Sequence, residues 1–165
     1  MTEEMIRVGI GFDAHKFSKD SARELWIACL KWDGETGLEA NSDGDVVTHA
    51  IADALLSATN LPDIGNFLLP AQDYKNTHGE HILHKVSVAL LEVRAKIVNV
   101  SAQLIGNSPK FSPMKSEAQD AVSGALVGNP PVSLSATTTD SLGFTGEGKG
   151  LACIATALIL LPEKV

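Results

Sequence analysis

Val46, Val47, Ala50, Ala54, Leu55 and Ala58 recur at helical spacing, directly after a Ser42-Asp43 pair suited to an N-cap. A helix over about 43–58 is predicted there, and its apolar stripe has to rest against a second layer. Strand-like runs supply that layer. Residues 5–12 alternate weakly and lead into Asp13-Ala14-His15, and residues 25–32 close on the turn chemistry of Asp33-Gly34. After a loop at 61–65, a second helix over about 79–96 places Ile82, Val86, Ala89, Leu90 and Val93 on one face. A strand over 97–105 ends at Gly106-Asn107-Ser108-Pro109, and a third helix opens at Pro113 and runs to near Gly128. Residues 132–139 and 151–161 form the last two strands. The order β-β-α-α-β-α-β-β fits an α+β (or α/β) arrangement, a mixed sheet with helices on one face.

The 165 residues suit one domain, 1–165, with no linker, charge block or repeat to divide it. At 44% hydrophobic and 20% charged a packed core is expected, resting on Leu, Ile, Val and Ala because aromatics are only 5%. Thirteen basic against twenty acidic residues give −7, and no basic stripe is present, which excludes a nucleic-acid binder. No run approaches the roughly 18 apolar residues that cross a bilayer, so no membrane role is expected. The acidic opening Glu3-Glu4 is unlike a basic secretory leader, and no transit peptide is read, so a cytoplasmic location is expected. Cys29 and Cys153 stand apart in apolar surroundings and read as reduced thiols.

Chemistry concentrates in three places. Residues two apart on an extended segment point to one side, so the Asp13 carboxylate and the His15 imidazole can converge on one ion. His49, beside Val46 and Asp53 on the predicted helix, would complete a three-ligand set with an open tetrahedral position. Core or surface histidines and a capping Asp account for the same letters, and spacing alone leaves both readings open. The Asn41-Ser42-Asp43-Gly44-Asp45 cluster fails as a calcium loop, because Thr48 stands where that loop's Gly belongs and the closing Glu is missing. It reads as a turn and helix cap. Thr137-Thr138-Thr139-Asp140, followed by Gly143-Phe144-Thr145-Gly146-Glu147-Gly148-Lys149-Gly150, offers hydroxyls and bare amides for phosphate and a carboxylate for a hard cation. Its glycine spacing matches neither the dinucleotide fingerprint nor the P-loop, and a hairpin turn explains it equally well. His78, His81 and His84 lack a carboxylate or Cys to complete a metal set and read as a solvated face.

Together these segments resemble the 2-C-methyl-D-erythritol 2,4-cyclodiphosphate synthase family of the non-mevalonate isoprenoid pathway. The resemblance covers nearly the whole chain. It rests on Gly11-Phe12-Asp13-Ala14-His15, on Ser42-Asp43-Gly44-Asp45-Val46 with His49, on Asp53-Ala54-Leu55-Leu56 and on Asp63-Ile64-Gly65. It continues through Ser108-Pro109-Lys110, Ala136-Thr137-Thr138-Thr139-Asp140 and Leu142-Gly143-Phe144-Thr145-Gly146. The resemblance implies a homotrimer with its sheets around a central axis and active sites between subunits. It also implies a lyase that closes the cyclic diphosphate of a cytidine diphosphate substrate, with release of CMP.

By matching position, Asp13, His15 and His49 would bind zinc, and Asp140 a magnesium or manganese ion. Thr138 would polarise the phosphates. Residues 106–110 (Gly106, Asn107, Ser108, Pro109 and Lys110), with Thr137, Thr138 and Thr139, would form the cytidine side. Ser42 would contact substrate, and Asp63, Ile64 and Gly65 of the neighbouring subunit would hold the ribose and methylerythritol. Phe144 and residue 147 belong to the substrate-binding positions as well.

Three departures from the family pattern stand out. Asn41 replaces the His that precedes Ser-Asp-Gly-Asp, where the family contacts phosphate in the transition state; Asn donates a hydrogen bond but carries no proton. Leu68-Leu69-Pro70-Ala71-Gln72 replaces a Phe-Pro-acidic substrate segment, and Glu147-Gly148-Lys149 inverts the usual Arg-Gly-Glu, whose Arg lines the trimer's central cavity and can meet an isoprenoid diphosphate. Two functional readings follow: an active cyclase, and a zinc-binding trimer with weak or no turnover kept for a structural or partner-binding role.

Overall fold

The computed structural model describes residues 4–68 and 77–162. Strand β1 (Glu4–Lys16) is followed by the short pair β2 (Leu25–Ile27) and β3 (Leu30–Trp32), helix α1 (Val46–Thr59), the short helix α2 (Ile64–Leu68) and helix α3 (Gly79–Glu92). Then come β4 (Lys96–Ile105), a 3-10 turn (Ser112–Met114), α4 (Lys115–Ala125), β5 (Val132–Thr137), the single-turn α5 (Gly143–Gly146) and β6 (Gly150–Pro162). Four strands form a mixed sheet in the order β1-β6-β4-β5; β6 runs antiparallel to both neighbours, and β4 and β5 are parallel. The α+β expectation of a mixed sheet packed with helices holds.

Helix α1 is the centre of the core, with eleven of its residues buried. It lies unusually close to β1 because Gly9 and Gly11 face it. A Cβ on Gly11 would stand 2.0 Å from the Ala50 carbonyl oxygen, and one on Gly9 1.9 Å from that of Ala54. The opposite row of β1 is apolar yet uncovered: Ile6, Val8, Ile10 and Phe12 are 67, 67, 66 and 57% exposed, and Ile154 on β6 adds to them. An inward row containing glycines and an outward row of large apolar side chains reverse the usual pattern of a one-sided sheet.

Several boundaries differ from the sequence expectation. The strand expected over 25–32 is a hairpin whose two turn residues, Ala28 and Cys29, hold φ of 56° and 65°. No Gly marks that turn, so it was invisible to turn rules. The cap of α1 is Asp45, which accepts the Val47 and Thr48 N–H groups, and not the Ser42-Asp43 pair. Ile64 and Gly65, expected at the end of a loop over 61–65, instead open the short helix α2. α3 ends at Glu92 and α4 at Ala125, earlier than expected. β1 extends to Lys16, so Asp13 and His15 lie within the strand, and β5 stops at Thr137. Of the altered segment 68–72, only Leu68 lies within the described residues.

Candidate metal and phosphate site

The close seam between β1 and α1 brings a strand residue and a helix residue together. Asp13 and His15 sit on the helix-facing row of β1, and His49 lies in the first turn of α1. His49 Nδ1 stands 3.0 Å from Asp13 Oδ2, and His15 Nε2 stands 3.0 Å from the same oxygen. One ligand atom from each residue lies within 4.8 Å of the others. His15 Nε2 is buried and, despite its distance to Asp13, makes no hydrogen bond. Two imidazole nitrogens brought to one carboxylate oxygen, one of them buried without a well-aligned hydrogen bond, form the donor set a divalent metal takes.

Charge at this point is strongly coupled. Burial by itself would raise the Asp13 carboxyl, but the flanking His15 and His49 outweigh it and hold it well below the usual carboxylate range. Burial likewise would lower the His49 imidazole; the Asp13 hydrogen bond and the charges of Asp13, Asp45 and Asp43 prevail and raise it. The other ring nitrogen, Nε2, lies 3.1 Å from Ser42 Oγ, which also accepts the Gly44 N–H. That contact orients the ring with Nδ1 toward Asp13. Ser42 is thus buried with its hydroxyl on His49, while its neighbour Asn41 is exposed.

Asp45, named in the sequence only as part of a turn and helix cap, and Arg23, which sequence reasoning did not single out, build the loop around this cluster. Asp45 is fully buried and accepts four backbone N–H groups: Ala28 at 2.9 Å, Cys29 at 2.8 Å, Val47 at 3.1 Å and Thr48 at 3.2 Å. It fastens the β2–β3 turn to the start of α1. Arg23 spends its guanidinium on three carbonyls of the incoming loop, those of Leu38, Ala40 and Ser42. The alternation of residues 38, 40 and 42 was the only available signal, and an extended loop backbone is not readable from residue types.

The threonine-rich segment lies elsewhere. Thr137 ends β5, its hydroxyl 3.3 Å from the Thr138 carbonyl, and the exposed Thr138 hydroxyl lies 3.2 Å from Asp140 Oδ1. Thr139 is turned inward onto the Leu142 carbonyl and the Thr145 hydroxyl. Gly106 donates to the Thr137 carbonyl, and Asn107 Nδ2 donates to the Gly146 carbonyl at 2.7 Å, so 106–108 and 137–146 form one connected surface. The Ser108 hydroxyl donates to Glu35; Pro109 is buried and Lys110 exposed. Phe144 is 45% exposed on α5. Glu147 and Lys149 lie in the turn after α5, not on a strand, and pair within one chain at 2.5 Å. His81 and His84 are exposed as expected; His78 instead stacks edge-on against Trp26 at the start of α3. Neither cysteine is in a disulfide, and burial pushes both thiols up.

Register relates the two surfaces. His15 pairs with Leu151, Ala152 with Ile105, and Ile105 with Thr137, so the Asp13–His15 end of β1 and the Thr137 end of β5 share one rim of the sheet. They are its two opposite edges, about 14 Å apart over three strand spacings.

The fold and site thus define an α+β chain with a candidate metal-binding triad at one end of its mixed sheet. The YgbB family model matches residues 6–160, and the chain belongs to that family. It is 42% identical over 154 residues to the 2-C-methyl-D-erythritol 2,4-cyclodiphosphate synthase of Acidothermus cellulolyticus, covering 93% of each. It is 46% identical to the bifunctional enzyme IspD/IspF of Clavibacter michiganensis subsp. michiganensis, where it covers 93% of this chain and spans 37% of that one. Among solved structures, the bifunctional IspDF of Campylobacter jejuni superposes with a TM-score of 0.88 at 30% identity, over 96% of this chain and 43% of that one. The CDP complex of Plasmodium falciparum IspF gives 0.81 at 27% identity, over 99% and 100%. Among the described residues, no helix is long and apolar enough to cross a membrane.

Proposed function

We propose that this chain converts 4-diphosphocytidyl-2-C-methyl-D-erythritol 2-phosphate into 2-C-methyl-D-erythritol 2,4-cyclodiphosphate and CMP, as a cytoplasmic homotrimer with sites shared between neighbouring subunits. An oxygen of the 2-phosphate forms a bond to the β-phosphorus; the bond from that phosphorus to the α-phosphate bridge breaks, and CMP departs with the electron pair. Such a transfer between anions needs positioning and charge neutralisation more than acid–base chemistry. Asp13, His15 and His49 would hold zinc, and Asp140 a magnesium or manganese ion; bound there, the cations neutralise diphosphate charge. Thr138 donates its hydroxyl to phosphate, and Asn41, exposed beside the cluster, donates an amide N–H. Lys110 with Gly106, Asn107, Ser108, Pro109, Thr137 and Thr139 receives the cytidine end.

The observation that carries this reading is the placement of the two half-sites on opposite edges of one rim. One diphosphate cannot touch both within a chain, but it can where the β1 edge of one subunit meets the β5 edge of the next. The uncovered Ile6, Val8, Ile10 and Phe12 row supports the same assembly, since sheet faces turned to a common axis would bury it. In that arrangement Asp63, Ile64 and Gly65 come from the subunit supplying the metal ligands, which neighbours the one supplying the cytidine pocket. The solved CDP complex of the Plasmodium falciparum relative supports a cytidine diphosphate ligand. The synthase names of relatives at 42% identity do not favour the reading of an inactive homologue.

CMP release by the purified protein with zinc and magnesium or manganese tests the reaction. Mixing tests the shared site: His49→Ala and Thr138→Ala proteins, each inactive alone, should recover activity when their subunits are exchanged. No recovery in verified mixed trimers would overturn the shared site, and no CMP release by the unaltered protein would overturn the reaction.

A further inference from the structure

Asp53 lies one turn beyond His49 on α1, so the two side chains share a face of the helix. Its carboxylate does not reach the metal cluster. Instead Oδ1 accepts the Ile64 N–H at 2.8 Å. Ile64 is the first residue of α2, whose opening N–H groups have no partner within that helix. Asp63 takes one of the others, accepting the Asn66 N–H at 3.0 Å and the Asn66 amide at 2.9 Å. The two acids divide the work. Asp63 shapes the turn from inside, while Asp53 ties the start of α2 by a side-chain hydrogen bond to the helix that carries His49.

We infer that Asp53 is a positioning residue, whose bond to the Ile64 N–H sets where Asp63, Ile64 and Gly65 stand relative to Asp13, His15 and His49. The inference rests on the proposed reaction, in which residues 63–65 hold the sugar side of the substrate. Asp63 Oδ1 and Oδ2 each receive one local bond and retain lone pairs for substrate hydroxyls. Asp63 is exposed, and its own turn does not tell it where the metal lies. The Asp53 bond supplies that reference, because Asp53 and His49 are rigidly related through one helical turn. Losing it leaves the residues present and their mutual geometry free to drift, which costs substrate binding and alignment before it costs metal.

Three variants of the full-length, metal-loaded protein test this. Asp53→Ala removes the acceptor, and KM for the cytidine diphosphate substrate should rise about tenfold, the scale of one hydrogen bond to a charged group. Zinc content should stay at the unaltered level. Asp53→Asn keeps a carbonyl oxygen able to accept the same N–H, and its KM should stay within about threefold. Ile64→Pro deletes the bond from the donor side, at a first helical position that tolerates proline, and should reproduce the KM rise even if Asp53→Ala folds poorly. Amide hydrogen exchange over residues 61–68 should speed up in Asp53→Ala and not in Asp53→Asn, a readout that needs no turnover. An unchanged KM with unchanged exchange in Asp53→Ala overturns the role, as does an Asp53→Asn protein as impaired as Asp53→Ala. A parent protein that releases no CMP, yet shows the exchange difference, would sink the reaction and leave the tie intact.

Discussion

Asp13 Oδ2 and His49 Nδ1 meet at 3.0 Å across the seam where Gly11 of β1 faces Ala50 of α1. The ligand cluster therefore depends on two independent elements and on the absence of a side chain between them. His49→Ala should leave the fold standing, since the ring is not what packs α1 on β1, while zinc content falls by most of its value and turnover disappears. Elemental analysis of the purified variant checks this. Full zinc occupancy would remove His49 from the ligand set.

The same pair makes a signed prediction about pH. In the metal-free protein Asp13 is depressed below its ordinary 3.8 and His49 raised above its ordinary 6.5. A depressed carboxyl contributes stability above its unfolded value and loses it as pH falls through the folded one. A raised imidazole contributes fully below its unfolded value and loses it as pH rises through the folded one. The pair's contribution is thus whole between 3.8 and 6.5. As pH rises past 6.5 and through the raised imidazole value, the metal-free Tm should decline, and His49→Ala should lack that part of the decline. Added zinc should reverse the slope, because the ligands must lose their protons to bind it and do so more fully as pH rises. A metal-free slope identical in the parent and in His49→Ala would contradict the coupling.

Asn41 is exposed next to Ser42, whose hydroxyl is committed to His49. Position 41 can therefore face phosphate while its neighbour faces inward. Asn41→His should raise kcat by about tenfold to a hundredfold if an imidazole there stabilises transition-state charge. Steady-state CMP release at several pH values is the measurement, and a variant no faster than the parent at any of them shows that the position is not limiting.

Asp45 holds four N–H groups with two oxygens in a fully buried site, and two of those groups belong to Ala28 and Cys29 in the left-handed region. Asp45→Asn keeps one acceptor and turns donors toward backbone N–H groups. A loss of about 2–4 kcal/mol is expected, read as a lower urea midpoint. A midpoint within experimental error of the parent would mean the turn does not depend on this carboxylate.

Glu147 pairs with Lys149 of its own chain. If three copies meet at the axis of the proposed trimer, each cation is partly neutralised by the adjacent anion, and an isoprenoid diphosphate should bind far more weakly than with Arg at 147. Glu147→Arg should recover affinity for farnesyl diphosphate in calorimetry. Micromolar binding by the unaltered protein, lost on mutation of a cavity residue, would show that this charge does not choose the ligand.

What the sequence by itself determined follows from short-range periodicity. The i, i+2 relation of Asp13 and His15 survives any tertiary arrangement in which 13–15 is extended, and the spacing of Ala50, Ala54 and Ala58 makes a helix with a narrow small-residue face. These locate the candidate metal ligands. Tertiary structure decided the rest, wherever several local answers were equally good. Ser42, Asp43 and Asp45 can each cap a helix, and the β2–β3 turn selects Asp45 by offering it two further donors. Glu147 and Lys149 could have faced one another across strands, but the turn after α5 pairs them within a chain. The separation of the Asp13 and Thr137 edges depends on the order β1-β6-β4-β5. That order comes from backbone pairing between residues distant in the chain, from Val100 with Val132 to Glu4 with Pro162, and no local pattern of side chains encodes which strand lies beside which.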